Sequence, residues 1–404
     1  MNKKLSVLLS VLLFPGIVNA ASDGGLLLKN QREAWAMKGL SFDPHLIEDY
    51  VSVLKGTTHK DTWLGKFDFI TEMDLEKAGI LKGGLIHFDV LNTHGGLKPT
   101  ADQMVGDLQT VSDIEATRST RIYEAWYQQS ILDNKLSVKF GVIDLNSEFL
   151  VSDSGGLYIN SALNMIPSMW INNQGEAIYP EPVPAVRLKY SPNEKFDVLV
   201  GFFQGNPLGN DDNPHSTHFG TRHGLLSIEE GQYHYKISWM GQMEGTLKAG
   251  FWLNSTHVQD VSAIDIESNP VMYKNNYGAY AIWDQAIFRV KDDQGLNIFL
   301  LGGGSPQNRN TLEHSIGGGL NYTGLIPRRE KDILGFALTS ASLSNKLRAS
   351  TGQDRCETIY EGMYQIHIHQ SIYLQPDIQY VFHPNGDPNI ANATVFMLRT
   401  DVHF

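Results

Sequence analysis

Residues 397–404, "MLRTDVHF", close the chain and decide how the rest is read. Counted back from Phe404, the even positions Val402, Thr400 and Leu398 are apolar or neutral, while His403, Asp401 and Arg399 are polar. Strict period two is the mark of a strand with one oily and one wet face. A lone edge strand at a terminus frays or recruits other chains, so this strand needs a partner. The pattern recurs upstream. In residues 370–384, "QSIYLQPDIQYVFHP", Ile372, Leu374, Ile378, Tyr380 and Phe382 oppose Tyr373, Gln375, Asp377, Gln379 and His383. In 356–370, "CETIYEGMYQIHIHQ", Tyr360, Tyr364, Ile366 and Ile368 oppose Glu361, Gln365, His367 and His369. Continued to "HLIEDYVSV" at 45–53, the alternation yields sixteen segments separated by turn residues.

Two architectures accommodate sixteen alternating strands: a sandwich whose oily faces pack on each other, or a barrel whose oily face meets lipid. Charge is sparse on the oily faces, and a Lys or Arg at mid-membrane would cost ~2–4 kcal/mol. Aromatic residues such as Tyr360, Tyr380, Phe382 and Phe404 gather toward strand ends, where an interfacial girdle would place them. An even strand count leaves both termini on one side. The expected fold is therefore all-β: a transmembrane antiparallel β-barrel of about 16 strands over residues 45–404. In it the last strand pairs with the first and no edge stays open. A mean hydropathy of −0.23 suits such a barrel, since only alternate residues face lipid.

The N-terminus reads as an export signal. Lys3 and Lys4 precede the apolar run "LSVLLSVLLFPGIV", and Val18 and Ala20 supply small residues for cleavage, so residues 1–20 are expected to be a signal peptide. Residues 21–44 form an N-terminal segment, with a short helix expected within 25–38, "GLLLKNQREAWAMK". The net charge is −12, and loss of Lys3 and Lys4 makes it more negative, which argues against nucleic acid as a partner. A single cysteine, Cys356, excludes an intrachain disulfide framework. Residues 147–182 are too long for a hairpin turn; they fold into the lumen or stand outside it.

Several stretches, in order along the chain, resemble the carbohydrate-selective porins of the OprB type. They are "SDSGGLYINSALNMIP", "YPEPVPAVRLKYSPNEKFDVLVGFFQGNP", "YGAYAIWDQAIFRV", "GLNIFLLGGGSPQNRN" and the ending "ETIYEGMYQIHIHQSIYLQPDIQYVFHPNGDPN". The resemblance implies a sixteen-stranded barrel in the outer membrane of a Gram-negative bacterium, through which small sugars diffuse into the periplasm. It implies that Phe404 helps the barrel-assembly machinery recognise the last strand. Beside the resemblance, the residues themselves are read as carrying no cofactor, no metal and no enzymatic step. The resemblance leaves open whether barrels associate as homotrimers, and whether the pore discriminates among small solutes at all.

A sugar offers hydroxyls to hydrogen-bond and C–H faces to stack on rings, and a channel must bind it weakly enough to release it. The polar parity of the strands supplies Glu124 and Trp126, Arg187 and Lys189, Trp283 and Arg289, Glu361, Asp377, Arg399 and Asp401 as pore-lining candidates. Arg187, Arg289 and Arg399 are expected to form a polar constriction with Glu124 and Asp377, because a guanidinium fork can hold two neighbouring hydroxyls. Trp170 would narrow the pore if its loop turns inward. Other signals point to no chemistry. His367 and His369 share a strand face, and His215, His218 and His223 share a loop, but spacing fixes no metal-ligand set in either case. "LLGGGSPQNRN" lacks the phosphate-loop signature, and its glycines are expected to ease strand curvature or a tight turn. Ser238 and His234 are uncoupled in the sequence, and a barrel enzyme or a secreted sugar-binding sandwich remains the competing class.

Overall fold

The structure, a computed structural model, describes residues 29–96, 101–173, 177–205, 224–238, 242–264, 269–291 and 293–404. The expected signal peptide and His215, His218 and His223 lie outside the described residues. A short helix α1 (Lys29–Ala36) falls within the expected helical segment. Strands follow as β1 (Leu40–Lys55), β2 (Asp61–Asp74), β3 (Gly84–Gly95), β4 (Ser119–Ile131), β5 (Leu136–Ile143), β6 (Val183–Asn193), β7 (Phe196–Gln204), β8 (Leu225–Ser238) and β9 (Gln242–Asn254). After them come β10 (Val258–Ile264), β11 (Pro270–Tyr273), β12 (Asn276–Lys291), β13 (Gln294–Gly304), β14 (Leu312–Thr323), β15 (Ile333–Leu343), β16 (Cys356–His369), β17 (Ile372–Phe382) and β18 (Ala393–His403). β1 thus starts ahead of the expected boundary at residue 45.

Sixteen of these strands close into one antiparallel barrel, and β10 pairs only with β11 as a separate ribbon. They are the sixteen segments of the alternation. Closure is made by β1 against β18, with His45 opposite His403 and Asp49 opposite Arg399. Short turns lie at the end that carries both termini, and the long connections lie at the other. Phe336, Leu338, Ile378 and Tyr380 are exposed on the outer wall, and their neighbours Ala337, Asp377, Gln379 and Val381 are buried on the inner one.

The inner face is not simply wet, because two connections fold into the barrel and are packed there. The β3–β4 connection brings helix α2 (Ala101–Val105) and Val111 against Val51, Val395 and Met397. The β5–β6 connection brings Phe149, Tyr158, Leu163, Ile166 and Met169 against Phe203, Trp252, Tyr280 and Phe299. The core therefore sits between loop and wall, and many inward strand positions beneath it are apolar or glycine. A Cβ at Gly201 would meet the Phe149 ring at 2.8 Å, and one at Gly303 would meet Ile166 at 3.0 Å. The glycines of "LLGGG", expected to serve curvature, include one that makes room for the inward loop.

A charged pair interrupts the apolar outer wall between β1 and β3. Glu48 on β1 and His94 on β3 face outward and meet across β2, His94 Nε2 lying 2.7 Å from Glu48 Oε1. Gly65 stands between them, where a Cβ would meet the imidazole at 2.3 Å. Gly65→Ala is expected to push the ring off the carboxylate and strand Glu48 against lipid, at about 1–2 kcal/mol. A urea titration of folding into vesicles measures this, and unchanged stability would contradict it.

Candidate functional site

The inward loops are held by the strand walls through polar groups as well as packing. Glu361 on β16 accepts the backbone N–H groups of Ile159 at 2.7 Å and Asn160 at 3.2 Å. Asn160 reaches Gln379 Oε1 at 3.0 Å and caps helix α3 (Ser161–Asn164) by accepting from Ala162 N. Asp284 on β12 accepts from Ser152 Oγ at 2.8 Å and Ser154 N at 3.1 Å. Ser168, in helix α4 (Pro167–Trp170), donates its N–H to Ser315 Oγ on β14 at 3.1 Å. On the other side Glu357 accepts from Leu108 N and Gln109 N at 2.8 and 2.7 Å. Buried backbone donors need such acceptors, and an unmade bond costs about 1–3 kcal/mol.

The two loops also bind each other. Asp113 N donates to Ile159 O at 2.9 Å, Ser161 N to Thr110 O at 3.1 Å, and Tyr179 Oη to Ile114 O at 2.9 Å. Between them lies a cavity of about 280 Å³. Thr110, Ser112, Asp113 and Glu115 line it from the first loop; Asn146, Ser161, Asn164, Trp170, Tyr179 and Glu181 line it from the second. Trp170 packs on the apolar core with part of its ring and lines this space with the rest. Opposite, Lys66 Nζ lies 5.4 Å over the Tyr179 ring, and Arg121 NH1 donates to Pro180 O at 3.2 Å. Burial lifts the Glu181 carboxyl above its ordinary value, against the pull of Arg121.

The expected constriction of three arginines does not assemble: Arg187 and Arg399 are engaged by neighbouring side chains, and Arg289 stands apart at the other end of the barrel. Arg187 gives Nε to Glu148 at 2.7 Å, NH1 to Ser137 Oγ at 2.6 Å and NH2 to Gln128 Oε1 at 2.7 Å. Arg399 forks onto Asp49 with two bonds of 2.8 Å and also pairs with Asp113. Arg289 sits at the termini end and bonds Asn297 Oδ1 at 2.8 Å. Glu124 faces Ser147 and His87. It accepts from Asp144 N at 2.9 Å, while Trp126 stacks on His87 and carries Lys139 Nζ 3.7 Å above its ring. Glu361 and Asp377 are buried beneath the second loop. Lys189 pairs with Asp197 at 3.0 Å, and Asp401 with His45 at 2.9 Å.

Trp283 is a correction. It faces outward, opposite the exposed Leu300 and Leu247, with Nε1 donating to Tyr235 Oη at 2.7 Å. A bulge between Ala286 and Phe288 shifts the phase of β12, so Arg289 turns inward while Trp283, of the same parity, does not. Asp49, Asp113, Lys139 and Glu148 were missed as partners. Lys139 has the inward parity of its strand, but Asp113 and Glu148 lie in loops where no period applies. The His234 nitrogens face Asp197 and Thr246, and His367 Nε2 faces Gln365.

Burial alone would raise the Glu148 carboxyl, but Lys139 and Arg187 outweigh it and hold it below the ordinary glutamate value. A depressed carboxyl stabilises the fold above its unfolded value and loses that contribution as pH falls through the folded one. The stability difference between the native chain and Glu148→Gln is expected to stay constant above about pH 5 and to close below about pH 4. Urea titrations at stepped pH check it; closure already near pH 6 would contradict the ion-pair reading.

The profile of the carbohydrate-selective porin, OprB family, matches residues 58–404. The chain belongs to that family. The porin is 22% identical to Porin B of Pseudomonas aeruginosa, over 91% of this chain and 88% of that one. It is 21% identical to the putative porin QuiX of Acinetobacter baylyi, over 82% and 84% of the two chains. The high-pH structure of Pseudomonas putida OprB superposes with a TM-score of 0.82 at 20% identity, covering 93% of the porin and 97% of that chain. The porin is an outer-membrane channel for passive diffusion of small carbohydrates.

Proposed function

We propose that sugar preference arises in the cavity between the two inward loops rather than in a ring of wall arginines. The observation that carries this is the lining itself: carboxylates, amides and hydroxyls stand beside the Trp170 and Tyr179 rings. A pyranose lays its C–H face on an indole while its hydroxyls exchange water for Asp113, Asn164 or Glu181, and weak, multiple contacts let it leave. Glu124, Trp126, Arg187, Glu361, Asp377 and Arg399 act on the solute through the loops they hold. Lys189, Arg289 and Asp401 line the wider exit. The barrel sits in the outer membrane of a Gram-negative bacterium, its loops outward and its termini toward the periplasm. Phe404 presents the last strand to the assembly machinery, and flux follows the gradient without a covalent step.

Planar-bilayer recording tests the site. Trp170→Ala is expected to raise the sugar concentration that half-blocks ion current by about tenfold, near the 1.4 kcal/mol of one ring contact. Arg289→Ala is expected to leave it unchanged. Equal block in Trp170→Ala and the native porin would remove the cavity from the selective path. Equal block by sugars and amino acids would make the channel a general one.

A further inference from the structure

We propose that the seam closing the barrel holds a divalent transition-metal ion of the zinc class, bound by His45, Asp401 and His403. The first and last strands carry matching Asp-x-His stretches, Asp43-Pro44-His45 and Asp401-Val402-His403, and the register sets His45 directly opposite His403. Period two puts all four side chains on the inner face at the termini end. His45 Nε2 lies 2.9 Å and His403 Nε2 3.5 Å from the same oxygen, Asp401 Oδ1. Ligands about 2.0–2.1 Å from a tetrahedral ion stand roughly 3.3 Å apart, so these separations bracket what an ion requires. The two rings are stacked, centroids 3.9 Å apart, so binding an ion requires the half-exposed His403 to rotate and aim its lone pair.

The surrounding groups fit the same assignment. Tyr373 Oη donates to Asp401 Oδ2 at 2.7 Å, which fixes the carboxylate and leaves Oδ1 for the ion. Asp43 Oδ1 lies 3.4 Å from His403 Nδ1, which keeps the proton on that nitrogen and frees Nε2. Metal-bound imidazoles and carboxylates are oriented by such partners. The two carboxylates balance a dication, and the neighbouring cations are already engaged: Arg32 by the backbone oxygens of Phe404 and Phe42, and Arg399 by Asp49 and Asp113. Two imidazoles with one carboxylate select zinc, nickel or copper over calcium or magnesium. Three protein ligands leave a fourth position open to the lumen. No spacing in the sequence could show this, since the ligands come from opposite ends of the chain.

The ion would clasp strands that no covalent link joins. The test uses the mature porin in detergent, purified without a histidine tag, and titrated with Zn2+ by calorimetry. One ion per barrel is expected, with affinity falling at least tenfold in His45→Asn and in His403→Asn, and about tenfold in Tyr373→Phe. Zn2+ is expected to raise the temperature at which the native barrel loses its compact gel migration, and EDTA to reverse it. Failure of the native barrel to bind Zn2+, or equal binding by the His45→Asn/His403→Asn variant, would overturn the site. Should that variant not fold, the visible spectrum of Co2+ added to the native barrel decides: absence of a ligand-field band for nitrogen ligation overturns it equally.

Discussion

Glu361→Ala combined with Asp284→Ala is expected to abolish sugar block while leaving a closed barrel. The two carboxylates accept four groups from the second loop: the N–H of Ile159, Asn160 and Ser154 and the hydroxyl of Ser152. Left unpaired inside the barrel, each costs about 1–3 kcal/mol, so the pair of substitutions withdraws several kcal/mol from the loop. The loop does not leave altogether, because Phe149, Leu163, Ile166 and Met169 are almost fully buried and each contributes about 1.5–3 kcal/mol. Apolar anchoring therefore wins at the loop's base, and the loss falls on residues 152–164, which carry Ser161 and Asn164 to the cavity. Single-channel records should show noisier current, conductance raised less than about twofold, and no sugar block even at about ten times the concentration that half-blocks the native channel. Block that survives in the double variant would mean that the solute is held by the wall and not by the loops.

How far the sequence reaches depends on which period a residue obeys. All sixteen barrel strands follow from alternation, because lipid on one side and polar or packed groups on the other enforce period two over the whole sheet. Trp283 shows where this fails. Its strand carries inward Tyr280 and Ile282, which look lipid-facing but pack on the loop, and a bulge then changes phase before Arg289. The direction taken by residues 147–182 was open for a related reason: "LNMIPSMW" is apolar without a period, and nothing local says whether it meets wall or water. Arg399 was placed on the inner face, yet its partners Asp49 and Asp113 lie at the other end of the chain and within a loop. Ion-pair partners brought together by closure leave no mark in local spacing.

Arg399→Ala is expected to cost about 3–5 kcal/mol of barrel stability, the usual result of removing one member of a buried ion pair. Asp49 is wholly buried and receives both forked bonds as well as Ser112 Oγ at 2.8 Å, so without the guanidinium its charge has only a hydroxyl to meet it. The damage is placed at the β1–β18 seam, since Asp49 and Arg399 are register partners there. It reaches the first loop as well, through Asp113, so sugar block should weaken together with stability. Adding Asp49→Asn removes the stranded charge and should recover a sizeable part of the loss, giving a coupling energy of about 1–3 kcal/mol in a double-mutant cycle. Arg399→Lys should fall between, because an ammonium cannot fork. Urea titrations of folding into vesicles measure these variants, Asp49→Asn alone and the native chain. A loss below about 1 kcal/mol in Arg399→Ala would place the pair with exposed ion pairs, whose contribution is that small, and the loop would then be held by packing alone.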